Sequence, residues 1–391
     1  MQRKMYKNHL DEAFGLTRPE PAEAVWPCRP RSRACLASID SILDLPNYRY
    51  ATFPELLDWS SAGYLVAALG CNYHMYSWRS QKVSGVGWSS DAIMCCKFDP
   101  RGHQLVIGTS AGFVEIHHCK WNMCLLSGQC ACSSYGYPCS ITALAWSPTG
   151  NSFISGCSRG TVTTFDRCAT PVHKWRFEGA RAPILALRVS PDARYVAVVP
   201  VNSVMVVVLT WPGLRYHLVY GQYSLVYACQ TIAWHPWRSA QLGVGRMGAD
   251  LDAKVILWDP PAGKNQQTIF KHHHCTIDVM LFSHRTGELV LSLWDDGSSS
   301  QLVVMSDPYT VVDNSEKTRG LDRIRTMVFS PCGTKLATAS IDEDLIIWKF
   351  LPEDKKNSKH LNACRRFSAL PAYLDEVTHG RLVIGTSVFH L

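Results

Sequence analysis

Leu144-Ala-Trp-Ser-Pro-Thr-Gly150 and Met327-Val-Phe-Ser-Pro-Cys-Gly333 spell the same unit twice: an apolar strand ending on an aromatic, a Ser-Pro turn closed by glycine, then a second apolar strand. Looser copies run the length of the chain. With the aromatic or its apolar equivalent as marker, they fall at Trp59, Phe98, Trp146, Val189, Trp234, Phe282 and Phe329, spaced 39, 48, 43, 45, 48 and 47 residues apart. A period of about 40 to 45 residues with period-two alternation inside each unit predicts four-stranded blades stacked around an axis. Seven units predict an all-β, seven-bladed propeller.

Several units close on Trp or on an aromatic-Asp pair, as at Phe165-Asp166, Trp258-Asp259 and Trp348, which is the WD type of repeat. Three zones follow. Residues 1–41 are rich in Pro and Arg and predict a flexible arm, and residues 42–350 carry the ring. Residues 351–391 are a charged linker, Glu353-Asp-Lys-Lys-Asn-Ser-Lys359, and a short C-terminal tail.

Composition narrows the function classes. Thirty-nine basic against 32 acidic residues give a net charge of +7, but no basic block or stripe is present, so nucleic acid is not indicated. The most apolar stretch, Val196 to Leu209, is interrupted by Pro200, Asn202 and Ser203 and is too short for a spanning helix; it reads as strands of the fourth blade, and no membrane partner is expected. The first ten residues lack the apolar core of a secretory signal, and sixteen cysteines without a regular framework fit a reducing compartment. Cytoplasm, and also nucleus, are the expected locations.

Tempting chemical motifs have simpler readings. Gly108-Thr-Ser-Ala-Gly112 is a literal G-x-S-x-G, but alternating strand residues follow it where a nucleophile elbow needs a helix, so it reads as a hairpin turn. Cys119, Cys124, Cys130, Cys132 and Cys139, with His117 and His118, offer zinc-type ligands without paired C-x-x-C spacing. They read as incidental thiols of a loop between blades. His272-His-His274 cannot converge on one ion from a strand, whose successive side chains oppose each other. With no Walker loop, G-x-G-x-x-G or H-E-x-x-H, neither an enzyme nor a cofactor or metal is expected.

Ser41-Ile-Leu-Asp-Leu-Pro46 and, ten residues on, Leu57-Asp-Trp-Ser-Ser61 resemble the opening of the Fizzy-family propeller, whose members are substrate-recognising activators of the anaphase-promoting ubiquitin ligase. Trp234-His-Pro-Trp237 and Ala339-Ser-Ile-Asp-Glu-Asp-Leu345 are similar to that family's segments in blades five and seven. Within the family the chain is most like the divergent insect branch called Cortex, associated with female meiosis.

The resemblance implies a noncatalytic adaptor, monomeric outside the complex, that brings destruction-box (R-x-x-L) proteins such as cyclins to the ligase for degradation in meiosis or mitosis. A propeller scaffold without ligase-activating ability is the alternative. It further implies a destruction-box groove between the first and last blades, with Asp44 and Glu343 on the two acidic positions that take the arginine and with Leu43, Pro46 and Val83 near the apolar part. At the family's second site, for the KEN degron, the corresponding residues are Ala51, His74, Val201-Asn202-Ser203, Thr276 and Arg323. Only Arg323 keeps the family's residue, so KEN recognition is expected to be weak or absent. The family's C-box and terminal Ile-Arg are not found; the chain ends Val388-Phe-His-Leu391. An isoform lacking the docking arm, a different mode of ligase engagement and lost activation all remain open on that point.

Overall fold

The computed structural model describes residues 35–36, 38–48, 53–132, 139–177, 182–220, 227–238, 241–248, 252–260, 266–295, 299–307, 310–315 and 321–352. The expected N-terminal arm before residue 35 and the C-terminal tail lie outside them. Residues up to Leu351 make one compact unit; the second, from Pro352, falls almost wholly outside the described residues.

Seven antiparallel four-stranded sheets form the blades. Their first strands are Leu57–Trp59, Ile93–Phe98, Ile141–Trp146, Ile184–Val189, Tyr227–Trp234, Cys275–Phe282 and Ile324–Phe329. Every marker read from the sequence is the last residue of such a strand. These seven strands touch one another in cyclic order, the last against the first, so they line the axis of a closed ring.

The markers tie neighbouring blades together as well as filling them. Trp146 Nε1 donates to the Lys97 carbonyl of blade two (3.3 Å), and Trp234 Nε1 to the Arg188 carbonyl of blade four (2.8 Å). Arg188 Nη2 in turn reaches Glu55 Oε1 beside blade one at 2.6 Å, bridging across the ring. Apolar clusters likewise span blades: one joins Ala337, Leu345 and Ile347 of blade seven to Leu57, Leu65 and Tyr73 of blade one and Ile93 of blade two. Because these faces are buried only against a neighbour, each blade depends on the next for its apolar burial.

The ring closes with a strand from the other end of the chain. Ile39–Asp44 adds to the outer edge of blade seven, antiparallel to Asp344–Lys349, with Ile39 opposite Trp348, Leu43 opposite Leu345 and Asp44 opposite Asp344. This covers an edge that would otherwise offer unpaired backbone groups. The boundary at residue 42 expected from the sequence is therefore too late. Leu36 is fully buried with Leu302, Trp348 and Phe350, and the Asp313 carboxylate accepts the backbone N–H groups of Cys35 (2.7 Å) and Leu36 (3.1 Å). Cys35, Leu36 and residues 38–41 belong to the ring.

His235 makes the fold sensitive to acid. Its Nδ1 accepts the backbone N–H groups of Trp237 and Arg238, both at 3.2 Å, and its fully buried ring packs on Phe282. Both bonds need an unprotonated Nδ1. Burial, with Arg238 adding to it, pulls the imidazole down from 6.5 to about 4. Between those values the unfolded chain takes up a proton that the folded one refuses, so this contribution is intact above pH 6.5 and declines as pH falls to 4. From pH 7 to pH 5 the wild type is expected to lose about 2 kcal/mol more than His235→Asn, in which the amide oxygen can still accept. Urea unfolding at the two pH values checks this; equal losses would rule out the assignment.

Candidate peptide-binding surface

Of the residues expected for a destruction-box groove, Leu43, Asp44, Pro46 and Glu343 lie in or next to the strands that close blade seven, and Val83 lies on the outer strand of blade one. Asp44 ends the closing strand and faces Asp344 across the ladder, and Glu343 precedes Asp344. The Leu45 N–H donates to the Glu343 carbonyl at 2.7 Å, fixing the two segments together. Glu343 has a φ of 73°, in the left-handed region that non-glycine residues rarely enter. The turn holds it there: Glu343 N–H bonds to the Ser340 carbonyl, and the Ser340 hydroxyl bonds to Asp342.

Four acidic residues, Asp44, Asp342, Glu343 and Asp344, thus crowd one corner. Like charges opposed across a ladder repel. Partial burial, and then the nearby Asp342 and Asp44 charges, hold the Asp344 carboxyl above its ordinary range. The arrangement favours a cation, and a guanidinium can bond two carboxylates at once.

Apolar residues occur on both blades of the seam. Leu43 is half-buried and, with Tyr76 and Trp78 of blade one, caps the cluster beneath the seam. Val83 sits opposite Tyr76 on blade one's outer strand, Lys82–Trp88, and is 60% exposed. Val86 and Trp88 of that strand are exposed too, as is Pro46 just past the closing strand; Ile42 is exposed on the other face of the closing strand, opposite Ile346. Lys335 pins the seam by donating to Asp40 Oδ2 at 2.9 Å while its ammonium lies 5.2 Å from the centre of the Trp78 ring.

The second degron position is arranged differently. Ala51 lies outside the described residues. His74 is exposed on blade one's third strand, and Val201-Asn202-Ser203 form the turn after Tyr195–Pro200, with Asn202 at a φ of 54°. Arg323 is engaged by its own fold: Nε donates to Asp278 Oδ2 (2.8 Å) and Nη2 to Oδ1 (2.7 Å), and the group lies 6.0 Å from the Trp294 ring centre. Thr276 also donates to Asp278 Oδ1 (3.2 Å). Thr276 and Arg323 therefore satisfy a shared carboxylate that the sequence reading did not include; it lies on the first strand of blade six, 45 residues before Arg323.

Gly108 to Gly112 form the hairpin expected of them, between strands Gln104–Thr109 and Phe113–His118, with Gly112 at a φ of 83°. A nucleophile elbow would need a helix there. His117 and Glu115, on the second of these strands, join a buried chain of side chains. Tyr73 O–H meets His117 Nδ1 at 3.1 Å, His117 Nε2 meets Glu115 Oε2 at 2.9 Å, and Ser89 Oγ donates to Glu115 Oε1 at 3.0 Å. Burial pushes the Tyr73 phenol up and keeps it protonated, so the assignment satisfying each group has Tyr73 donating to Nδ1 and Nε2–H donating to Glu115. This locks blade one to blade two.

Comparison with known proteins agrees with this architecture. The family described as "WD domain, G-beta repeat" matches residues 128–166 and 317–349. Protein cortex of Heliconius erato is 52% identical, over 97% of this chain and 87% of its own length. The chain belongs to the Fizzy family, in its Cortex branch. Protein FIZZY-RELATED 1 of Arabidopsis thaliana is 25% identical over 90% of this chain and 72% of its own length. Among solved structures, a chain of the "Crystal Structure of Mitotic Checkpoint Complex" superposes with a TM-score of 0.65, covering 86% of this chain and 99% of that one at 18% identity, which shows a shared propeller fold.

Proposed function

We propose that this Fizzy-family propeller is a substrate adaptor of the anaphase-promoting ubiquitin ligase, holding destruction-box peptides, such as those of cyclins, at the seam between blades seven and one. The observation that carries this reading is the acidic corner of Asp44, Asp342, Glu343 and Asp344 at the end of the closing strand, next to Leu43, which packs on the apolar cluster shared with blade one. An R-x-x-L peptide presents a cation and an apolar side chain a few residues apart, matching the two halves of that surface. The guanidinium would bond the carboxylates and relieve their mutual repulsion, while the leucine would cover apolar surface. The propeller then raises the local concentration of substrate at the ligase, which performs the chemistry.

Titration of a labelled R-x-x-L peptide against wild type and against the Asp44→Ala, Glu343→Ala double variant tests this. Removing both carboxylates is expected to weaken binding by roughly 100-fold or more, since bonds to charged groups contribute about 1.5–3 kcal/mol each. A KEN peptide is expected to bind neither protein measurably, because the Arg323 guanidinium is already paired with Asp278. Equal R-x-x-L affinity for the two proteins would remove the assignment of the seam.

A further inference from the structure

Three thiols that read as incidental in the sequence converge with a fourth in the fold. The sulfurs of Cys130, Cys132, Cys139 and Cys157 all lie within 4.8 Å of one another, and all four residues are buried. Cys130 directly follows blade two's outer strand, Met123–Gln129, and Cys132 and Cys139 lie in the connection to blade three. Cys157 arrives by hairpin register. It ends the strand Ser152–Cys157 opposite Ile141, two residues beyond Cys139.

We infer that Cys130, Cys132, Cys139 and Cys157 form a tetrathiolate zinc site that clips the connection between blades two and three onto blade three. Zinc in structural sites is bound by four ligands in a tetrahedron, and sulfurs about 2.3 Å from the metal stand about 3.8 Å apart along each edge. The Cys132 and Cys157 sulfurs are 3.8 Å apart. A disulfide would need about 2.05 Å. Donors are also in place for the negative charge that four thiolates bring: the Arg159 backbone N–H points to Cys157 Sγ at 3.4 Å.

The surrounding backbone makes room for the cluster. The Gly112 carbonyl accepts the Cys130 N–H at 2.9 Å, and a Cβ at Gly112 would lie 2.9 Å from Cys139 Sγ. The hairpin glycine of the G-x-S-x-G stretch thus serves the thiols. In the other close group of metal-type ligands, Glu115, His117 and Cys124, the imidazole is committed to Tyr73 and Glu115, the carboxylate to His117 and Ser89, and Cys124 Sγ donates to the Leu126 carbonyl.

Four ligand thiols in a reducing compartment would be loaded with zinc as the chain folds, each losing its proton on binding. The test is the metal content of the whole chain purified under reducing conditions, followed by exchange with cobalt(II). About one zinc per chain is expected, and cobalt should give the visible bands and sulfur charge transfer of a tetrahedral tetrathiolate. Cys132→Ser with Cys157→Ser should reduce bound metal by about tenfold or more, whereas Cys119→Ser, outside the cluster, should retain it. A folded wild-type chain that holds no zinc and gives no such cobalt spectrum would overturn the site, as would mass-spectrometric disulfides among the four cysteines or full metal retention in the double variant. If the double variant does not fold, the wild-type stoichiometry and spectrum decide the matter alone.

Discussion

A chain beginning at Leu45 is expected to unfold at least about 7 °C below one beginning at Cys35, and to aggregate. The ten residues that differ hold the closing strand and Leu36. Burial of Leu36 contributes about 1.5–3 kcal/mol, and each ladder bond along Ile39–Asp44 adds about 1 kcal/mol. Loss of the Cys35 and Leu36 N–H donors deprives the buried Asp313 carboxylate of two bonds, costing about 1–3 kcal/mol. The sum exceeds about 5 kcal/mol, which at about 1.5 °C per kcal/mol for a ring of roughly 300 residues gives the shift. The strand Asp344–Lys349 also becomes a bare edge, a template for pairing between chains. Thermal unfolding followed by light scattering reads both effects; midpoints within about 2 °C of each other would show that the ring does not depend on its latch.

Glu115→Ala is expected to cost about 1–3 kcal/mol for each of the two buried donors it strands, the His117 Nε2–H and the Ser89 hydroxyl, which lose their common acceptor. The informative measurement is a double-mutant cycle with His117→Leu, in urea. If the four groups act as one chain, removing both costs much less than the sum of the single changes, with a coupling of about 1–3 kcal/mol. Additivity within about 0.5 kcal/mol would mean that the chain is four separate contacts. The site allows no slack. A Cβ on Gly87 would stand 2.1 Å from Tyr73 Cζ, so that glycine is what lets the phenol reach His117.

Much of the fold was legible because the blade repeat is a local pattern. Even Val189, with no aromatic, could be placed, since its spacing and the apolar run after it mark the end of a first strand as Trp146 does. The closing strand was harder to read. Along Ile39–Asp44 exposed and half-buried residues alternate with none fully buried, and the polar face resembles an arm; what orders it is a partner some 300 residues away.

The candidate site shows the same division. Asp44 and Glu343 are legible as a pair only through the family resemblance; the closing strand then sets their two segments against each other. Asp278 could not be foreseen as the partner of Arg323, since it sits on the first strand of blade six and Arg323 just before the first strand of blade seven, and only the ring's curvature makes them meet. Cys157 escaped for a related reason: the spacing of Cys130, Cys132 and Cys139 is unlike a zinc knuckle, and the fourth thiol is delivered by a hairpin register rather than by proximity in sequence.

The closing strand also sets a timetable for synthesis. Asp40 and Lys335, paired at 2.9 Å in the finished ring, are 295 residues apart along the chain. At a ribosomal pace of about 5–20 residues per second, Asp40 waits roughly 15–60 s for its partner to be made. Through that interval the nascent chain carries an orphaned β-segment and a growing arc of blades whose last face is always bare. Contacts of such long range form slowly in any case. The protein's exposure to nascent-chain chaperones and quality control is therefore set by the two ends of its propeller rather than by the blades between them.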